Sequence, residues 1–257
     1  MQPGSSESKA PTRARAIKSY GALVITVLIT VIGAAMMTIT SSPAMKGAAF
    51  LWLPAALQLI GGVWLGPIPG MLAGGLGAYA AGILAYGGVG LPDIVMNLVA
   101  GGLANAWLPA VLFRAFKINP DFGAEPQEVR KAVKTLVTLL VLVLVVAVAS
   151  IPLKLGFYGF IAALVLLLAA PAALRNLKLA KRDFILAFVV CVFSCAVSAA
   201  IGCYGVVLSG QSWLAAIVGT GVGWFLGDTV SAVLGLYILA TFTQRARRAG
   251  LADRLPS

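Results

Sequence analysis

The feature that most constrains this chain is an alternation: apolar runs of about 20 residues without charge, separated by short clusters of basic residues. A run of that length suits a helix crossing a hydrocarbon core of about 30 Å, whereas barrel strands need short alternating segments, which the chain lacks. With 60% hydrophobic and 11% charged residues, the apolar surface exceeds what a water-soluble core encloses. The expectation is an all-α polytopic membrane protein, a transmembrane helix bundle in the cell (inner or plasma) membrane.

The net charge of +11 does not point to nucleic acid once the basic residues are located. Lys9, Arg13, Arg15 and Lys18 precede the first run. Arg114, Lys117, Arg130, Lys131 and Lys134 fill the longest loop. Arg175, Lys178, Lys181 and Arg182 form a third cluster, and Arg245, Arg247, Arg248 and Arg254 a fourth, leaving only Lys46 and Lys154 elsewhere. Placing all four clusters in the cytoplasm satisfies the positive-inside rule and puts both termini there. There is no histidine, the commonest metal ligand and proton shuttle. Cys191, Cys195 and Cys203 fall on one helical face, a spacing open to metal or redox chemistry but best read as small apolar filler. Neither metal nor cofactor is expected.

Along the chain, residues 1–19 read as a disordered basic tail, 20–243 as the transmembrane domain and 244–257 as a second basic tail. Tyr20 to Thr40 is too long for a cleaved signal and predicts an uncleaved span. Its Ala22, Thr26, Thr30 and Ala34 form a small-residue stripe on which another helix, of this chain or another, can lie. Phe50 to Leu65 predicts a short second span, with Trp52 as an interfacial anchor and Pro54 at the helix start. Gly66-Pro67-Ile68-Pro69-Gly70 is a turn, after which Gly70, Gly74, Ala78 and Gly82 mark a smooth seam on a third span ending at Tyr86. Pro92 opens a fourth span, closed by Arg114. The loop from Phe116 to Lys134 is long enough to dock a partner, although a solvated connection explains it as well. Thr135 to Ile151 and Phe157 to Leu174 are featureless spans. Asp183 to Leu208 is a seventh, and Gln211 to Thr243 an eighth, long enough to require tilt or a break near Gly219, Gly221 and Gly223. Eight spans result.

Polar side chains inside such spans are costly and usually face a cavity or the bundle interior. Asp228 is the sharpest, close to the midpoint of the last span with no Lys or Arg in any span to pair with it. It must be protonated, hydrogen-bonded to groups such as Asn97, Asn105 or Thr229, or face a substrate. Asp93, Asn97, Gly101 and Asn105 recur at steps of four, drawing a slanting polar stripe along an α-helix. Asn97 and Asn105 either line a cavity or tie helices together, and Asp93 suits a helix cap. Trp52, Tyr86, Tyr158, Tyr204 and Trp213 fit an aromatic belt or a stacking surface for a flat ligand. The chain has no Walker-type phosphate loop, no Ser/His/Asp set and no metalloprotease helix, so it is not expected to be an enzyme. Energy for transport would come from a gradient or another subunit.

The segment from residue 53 to 114, with Pro54, the Leu65-Gly66-Pro67 turn, Gly70, Pro92, Asn97 and Gly101-Gly102, resembles the substrate-specific subunits of energy-coupling-factor vitamin transporters. That resemblance implies a non-enzymatic subunit capturing a vitamin or similar small-molecule substrate from outside and working beside a scaffold membrane subunit and cytoplasmic ATPases. It implies six spans, which makes Thr135 to Leu174 an additional pair, and binding residues among Asn97, Asn105 and Asp228. A second resemblance, carried by Trp52-Leu53-Pro54 and Trp224-Phe225-Leu226-Gly227-Asp228, is to eight-span bacterial integral membrane sensor domains. It implies signalling through a separate partner.

Overall fold

The computed structural model describes residues 10–40, 52–123 and 180–253, with a few isolated positions between 125 and 145. Six helices make up the described bundle: α1 (Ala10–Thr40), α2 (Pro54–Leu65), α3 (Pro67–Tyr86), α4 (Leu91–Ala115), α5 (Lys181–Leu208) and α6 (Trp213–Arg248). Among the described residues there are no strands. Five helices are long and apolar enough to cross a membrane, all but α2. Eight spans therefore stand as an expectation. The two featureless runs, Thr135 to Ile151 and Phe157 to Leu174, lie outside the described residues but for isolated positions in the first.

The second span is corrected in length and in role. Proline starts α2 at Pro54 and Gly66, with φ 106°, ends it, so the helix has only 12 residues. At 1.5 Å per residue that is about 18 Å, well short of the hydrocarbon thickness. Ten of the 12 are buried, so α2 is an inner helix with almost no lipid face. The turn itself follows the sequence: Gly66 takes the left-handed backbone closed to most other residues, and Pro67 occupies the first turn of α3. The Arg114 guanidinium caps this corner, donating to the Val63 carbonyl at 3.4 Å and to Ala110 at 2.8 Å.

The glycine seam on α3 is a close packing surface. Cβ atoms added at Gly70 or Gly74 would run into the backbone of α2 or α4. Along α1, Thr26 and Thr30 face α3, where Thr30 donates to the Gly77 carbonyl at 3.3 Å and a Cβ on Gly77 would meet the Thr26 carbonyl. The small-residue stripe thus has its partner inside this chain. The opposite face of α1, with Leu23, Val24, Val27 and Val31, is exposed, as a lipid-facing surface would be. The helix begins at Ala10, so residues 10–19, expected as part of a disordered tail, continue the first span as helix. Likewise α6 carries helix through Arg248 into the second tail.

The basic clusters meet at one end of the bundle. Lys18 pairs with Asp253, Arg247 bridges Asp121 at 3.0 Å, and Arg182 reaches the Phe116 carbonyl at 3.4 Å. This is the arrangement that helices alternating in direction require. Residues 117–123, the described start of the loop expected as solvated, are packed against the bundle. Ile118 and Phe122 are fully buried, Asn119 and Asp121 both accept from Arg247, and the Asn119 amide donates to Asp183 at 3.0 Å. Lys117 and Phe122, both at φ 52°, turn the chain so that these side chains point inward. The Ala180 amide then donates to the Phe122 carbonyl at 2.9 Å, so residues 122 and 180 lie side by side.

Candidate functional site: a polar hollow above a buried carboxylate

Asp228 sits on α6 with no exposed surface. Its Oδ2 accepts from Asn105 Nδ2 and from Ser198 Oγ, both at 2.8 Å, which ties α4 and α5 to α6. Its Oδ1 has no hydrogen bond of good geometry, although Trp224 lies close enough to interact with the carboxyl. No Lys or Arg pairs with it among the described residues. Of the three partners expected from the sequence, only Asn105 is found. Thr229 donates instead to the carbonyl of Phe225 at 2.7 Å, within its own helix. Asn97 donates to the Tyr86 hydroxyl at 2.6 Å.

Against this carboxylate lies a narrow hollow lined from all six helices and from Trp52, two residues before α2: Met37, Trp52, Gln58, Ala78, Met96, Asn97, Gly101, Asn105, Ser198 and Trp224. Three of those side chains, Asn105, Ser198 and Trp224, are the ones that approach Asp228. Trp52, expected at the interface, is 8% exposed and forms part of the wall. It sits deep because α2 starts only at Pro54 and is itself enclosed. The other end of the aromatic belt behaves differently: Tyr204 and Trp213 are exposed and stacked with ring centres 6.4 Å apart. Tyr158 lies outside the described residues.

Asp93 is not brought to the hollow. It lies in the first turn of α4, where its carboxylate accepts from the Gly90 amide at 2.9 Å, the helix cap its position suggested. The stripe below it is built differently from the α-helical expectation. From Ile94 to Trp107 the helix is wound as a π-helix, with the Leu108 amide bonded five residues back to Leu103. In an α-helix four residues overshoot a full turn by about 40°. In the wider π winding four residues fall short of one, so the stripe slants the other way, and Asn97, Gly101 and Asn105 are all buried. A π turn at Ile217–Gly221 likewise stands where a break in the last helix was expected, and the helix runs on through it.

Sequence reasoning missed two members of the site. Gln58 is fully buried, donates to the Gly74 carbonyl at 3.3 Å and accepts from Asn105 at 3.2 Å. An amide inside so apolar a helix was a legible signal, by the same reasoning that picked out Asn97 and Asn105. Ser198 carried no such signal, because a serine among alanines in a membrane helix usually bonds its own backbone. The cysteines have a packing role: Cys191 and Cys195 are buried in the cluster formed by Leu59, Phe113, Phe122 and Leu236. Among the described residues no cluster of His, Cys, Asp and Glu could hold a metal ion.

That apolar cluster fills the space between the hollow and the basic end of the bundle, while Met37 and Trp52, at the ends of α1 and α2 away from the basic residues, stand nearer the other end. The site is therefore sealed on the basic side. No family model matches the chain, and neither a curated protein nor a solved structure is significantly similar to it.

Proposed function

We propose that this chain is a membrane-embedded binding subunit that captures a small polar solute in the hollow above Asp228. The partner system is a multi-subunit importer with a scaffold membrane subunit and cytoplasmic ATPases. The observation that carries the reading is convergence: Trp52, Gln58, Asn97, Asn105, Ser198 and Trp224, from distant parts of the chain, border one hollow. Buried polar groups in a membrane bundle mark a substrate path by default. The seal of apolar side chains toward the basic end supports capture from the opposite side, which the positive-inside rule makes the exterior.

Among the described residues five helices are long enough to span and α2 is enclosed among them, a six-helix core to set beside the six spans of the energy-coupling-factor subunits that residues 53 to 114 resemble. Thr135 to Leu174 stands as the additional pair of spans. A scaffold would have to meet the exposed apolar face of α1, since the small-residue stripe is covered by α3. The free space holds roughly one or two water molecules, so a solute of vitamin size needs Met37, Trp52 and Met96 to swing aside.

A second reading, a sensor working through a separate partner, is favoured by one observation. Trp52 and Trp224, from the two motifs that carry the resemblance to sensor domains, meet at this hollow. Mass spectrometry of small molecules retained by the purified protein tests solute capture. Co-purification separates the two readings: ATPases and a scaffold indicate import, a kinase or cyclase indicates sensing. If Asp228→Asn and Asn97→Ala leave both retention and uptake unchanged, the site is misassigned.

A further inference from the structure

The polar groups around the hollow are unevenly spent. Asn105 commits both of its side-chain N–H groups, to Asp228 and to Gln58, while Gln58 and Asn97 each spend one of two, on the Gly74 carbonyl and the Tyr86 hydroxyl. Ser198 spends its hydroxyl hydrogen on Asp228 as well. The orientation of Asn105 is dictated by chemistry, because an amide oxygen turned toward a carboxylate would be repelled. Asn105 therefore keeps only its oxygen for a ligand, and directly behind Asn105, Ser198 and Trp224 stands the Asp228 carboxyl, whose Oδ1 is buried without a good partner. One turn further along α5, Ser194 Oγ is also buried and unpartnered.

Charge points the same way. The ion-paired arginine of α6, Arg247, is 19 residues from Asp228, about 28 Å along the helix. Held away from water and from basic side chains, this carboxyl carries a negative charge only at a cost, which a cation bound beside it would offset and an anion would increase. The walls are two indole rings and two thioethers, Trp52, Trp224, Met37 and Met96. Indole faces attract weakly hydrated organic cations, whereas a small metal ion prefers a shell of oxygens.

We propose that the hollow selects a solute bearing a protonated amine, with Asp228 as counter-charge, the amide oxygens of Asn97 and Asn105 as acceptors and Trp52 and Trp224 as aromatic walls. This rests on the solute-capture reading and narrows it to cationic amines, setting aside carboxylic acids and phosphate esters without an amine.

The test uses the full chain purified in detergent at fixed ionic strength, with thermal unfolding and calorimetry as readouts. The probes are ethylammonium chloride, acetamide as the neutral polar counterpart, sodium acetate as the anion and sodium chloride as the inorganic cation. A probe with three heavy atoms binds at best in the millimolar range. Ethylammonium is expected to raise the unfolding temperature where acetamide, acetate and sodium do not, and Asp228→Asn to weaken it at least tenfold. Should Asp228→Asn fail to fold, Trp224→Leu serves, weakening ethylammonium and leaving acetamide unchanged. If acetamide binds as well as ethylammonium and is insensitive to these variants, solute capture stands and the amine falls. Sodium alone stabilising the protein through Asp228 likewise overturns the amine in favour of an ion site. If no probe acts on the wild-type chain but a solute without an amine is found retained in the hollow, the amine falls alone, whereas a retained amine upholds it. If nothing is retained either, both fall.

Discussion

Two neighbouring glycines on α2 make a controlled experiment. At Gly62 an added Cβ would run into the backbone carbonyl of Ala106, well inside van der Waals contact. At Gly61 it would meet only the Ile25 side chain, at 3.4 Å, an ordinary contact. Both residues lie in the same helix and both are buried. Replacing either by alanine brings the same gain in helix propensity, about 0.5–1 kcal/mol. Forcing atoms into a packed interior costs about 1–3 kcal/mol, toward the upper end when the obstacle is backbone, which cannot rotate away. Gly62→Ala should therefore be less stable than Gly61→Ala by about 3 kcal/mol, with Gly61→Ala at or slightly above the wild type. Unfolding of the purified protein in mixed detergent, by heat or by sodium dodecyl sulfate titration, measures the difference. Because Ala106 adjoins Asn105, Gly62→Ala should also weaken solute retention while Gly61→Ala should not. Equal stability of the two variants would refute the claim that α2 and α4 touch backbone to backbone.

The hydrogen bonds around Asp228 should be coupled. Asn105→Ala removes one donor to the carboxylate and one to Gln58, at a cost of about 1–3 kcal/mol given that interhelical bonds in membranes average about 0.6 and reach about 1.7 kcal/mol each. A double-mutant cycle with Ser198→Ala, read by unfolding, should be non-additive by at least about 0.5 kcal/mol, since both donors serve the same oxygen. At the basic end, Arg247→Gln should destabilise by about 2–4 kcal/mol, because it leaves the buried Asp121 without its cation. Lys18→Gln, whose partner Asp253 is exposed, should change stability by less than about 1 kcal/mol.

Much of the scaffold was legible because its signals are steric. The glycine-proline corner, the α3 seam and the start of α5 near Asp183 all follow from residues with few conformational alternatives. Asp228 was legible as an expense that demands a reason. The length of α2 was less so, since nothing in Phe50 to Trp52 distinguishes a helix from the approach to one, and the burial of Trp52 in the wall of the hollow depends on how the helices around it close. The π winding of α4 has no compositional mark: the same Asn-Gly-Asn spacing fits an α-helix, and only the packing of α3 and α5 against it decides. In the segment after α4, charge suggested solvent, but Ile118 and Phe122 outweigh it by burying completely.

The meeting of Phe122 and Ala180 has a consequence for what this bundle tolerates. A chain that departs and returns through one hydrogen bond can carry almost any length between those points, since the entropy of closing a loop rises only with the logarithm of its size. Joining Gly123 to Ala180 through a few flexible residues would therefore ask almost no displacement of the described helices, because the two ends already lie within one hydrogen bond of each other.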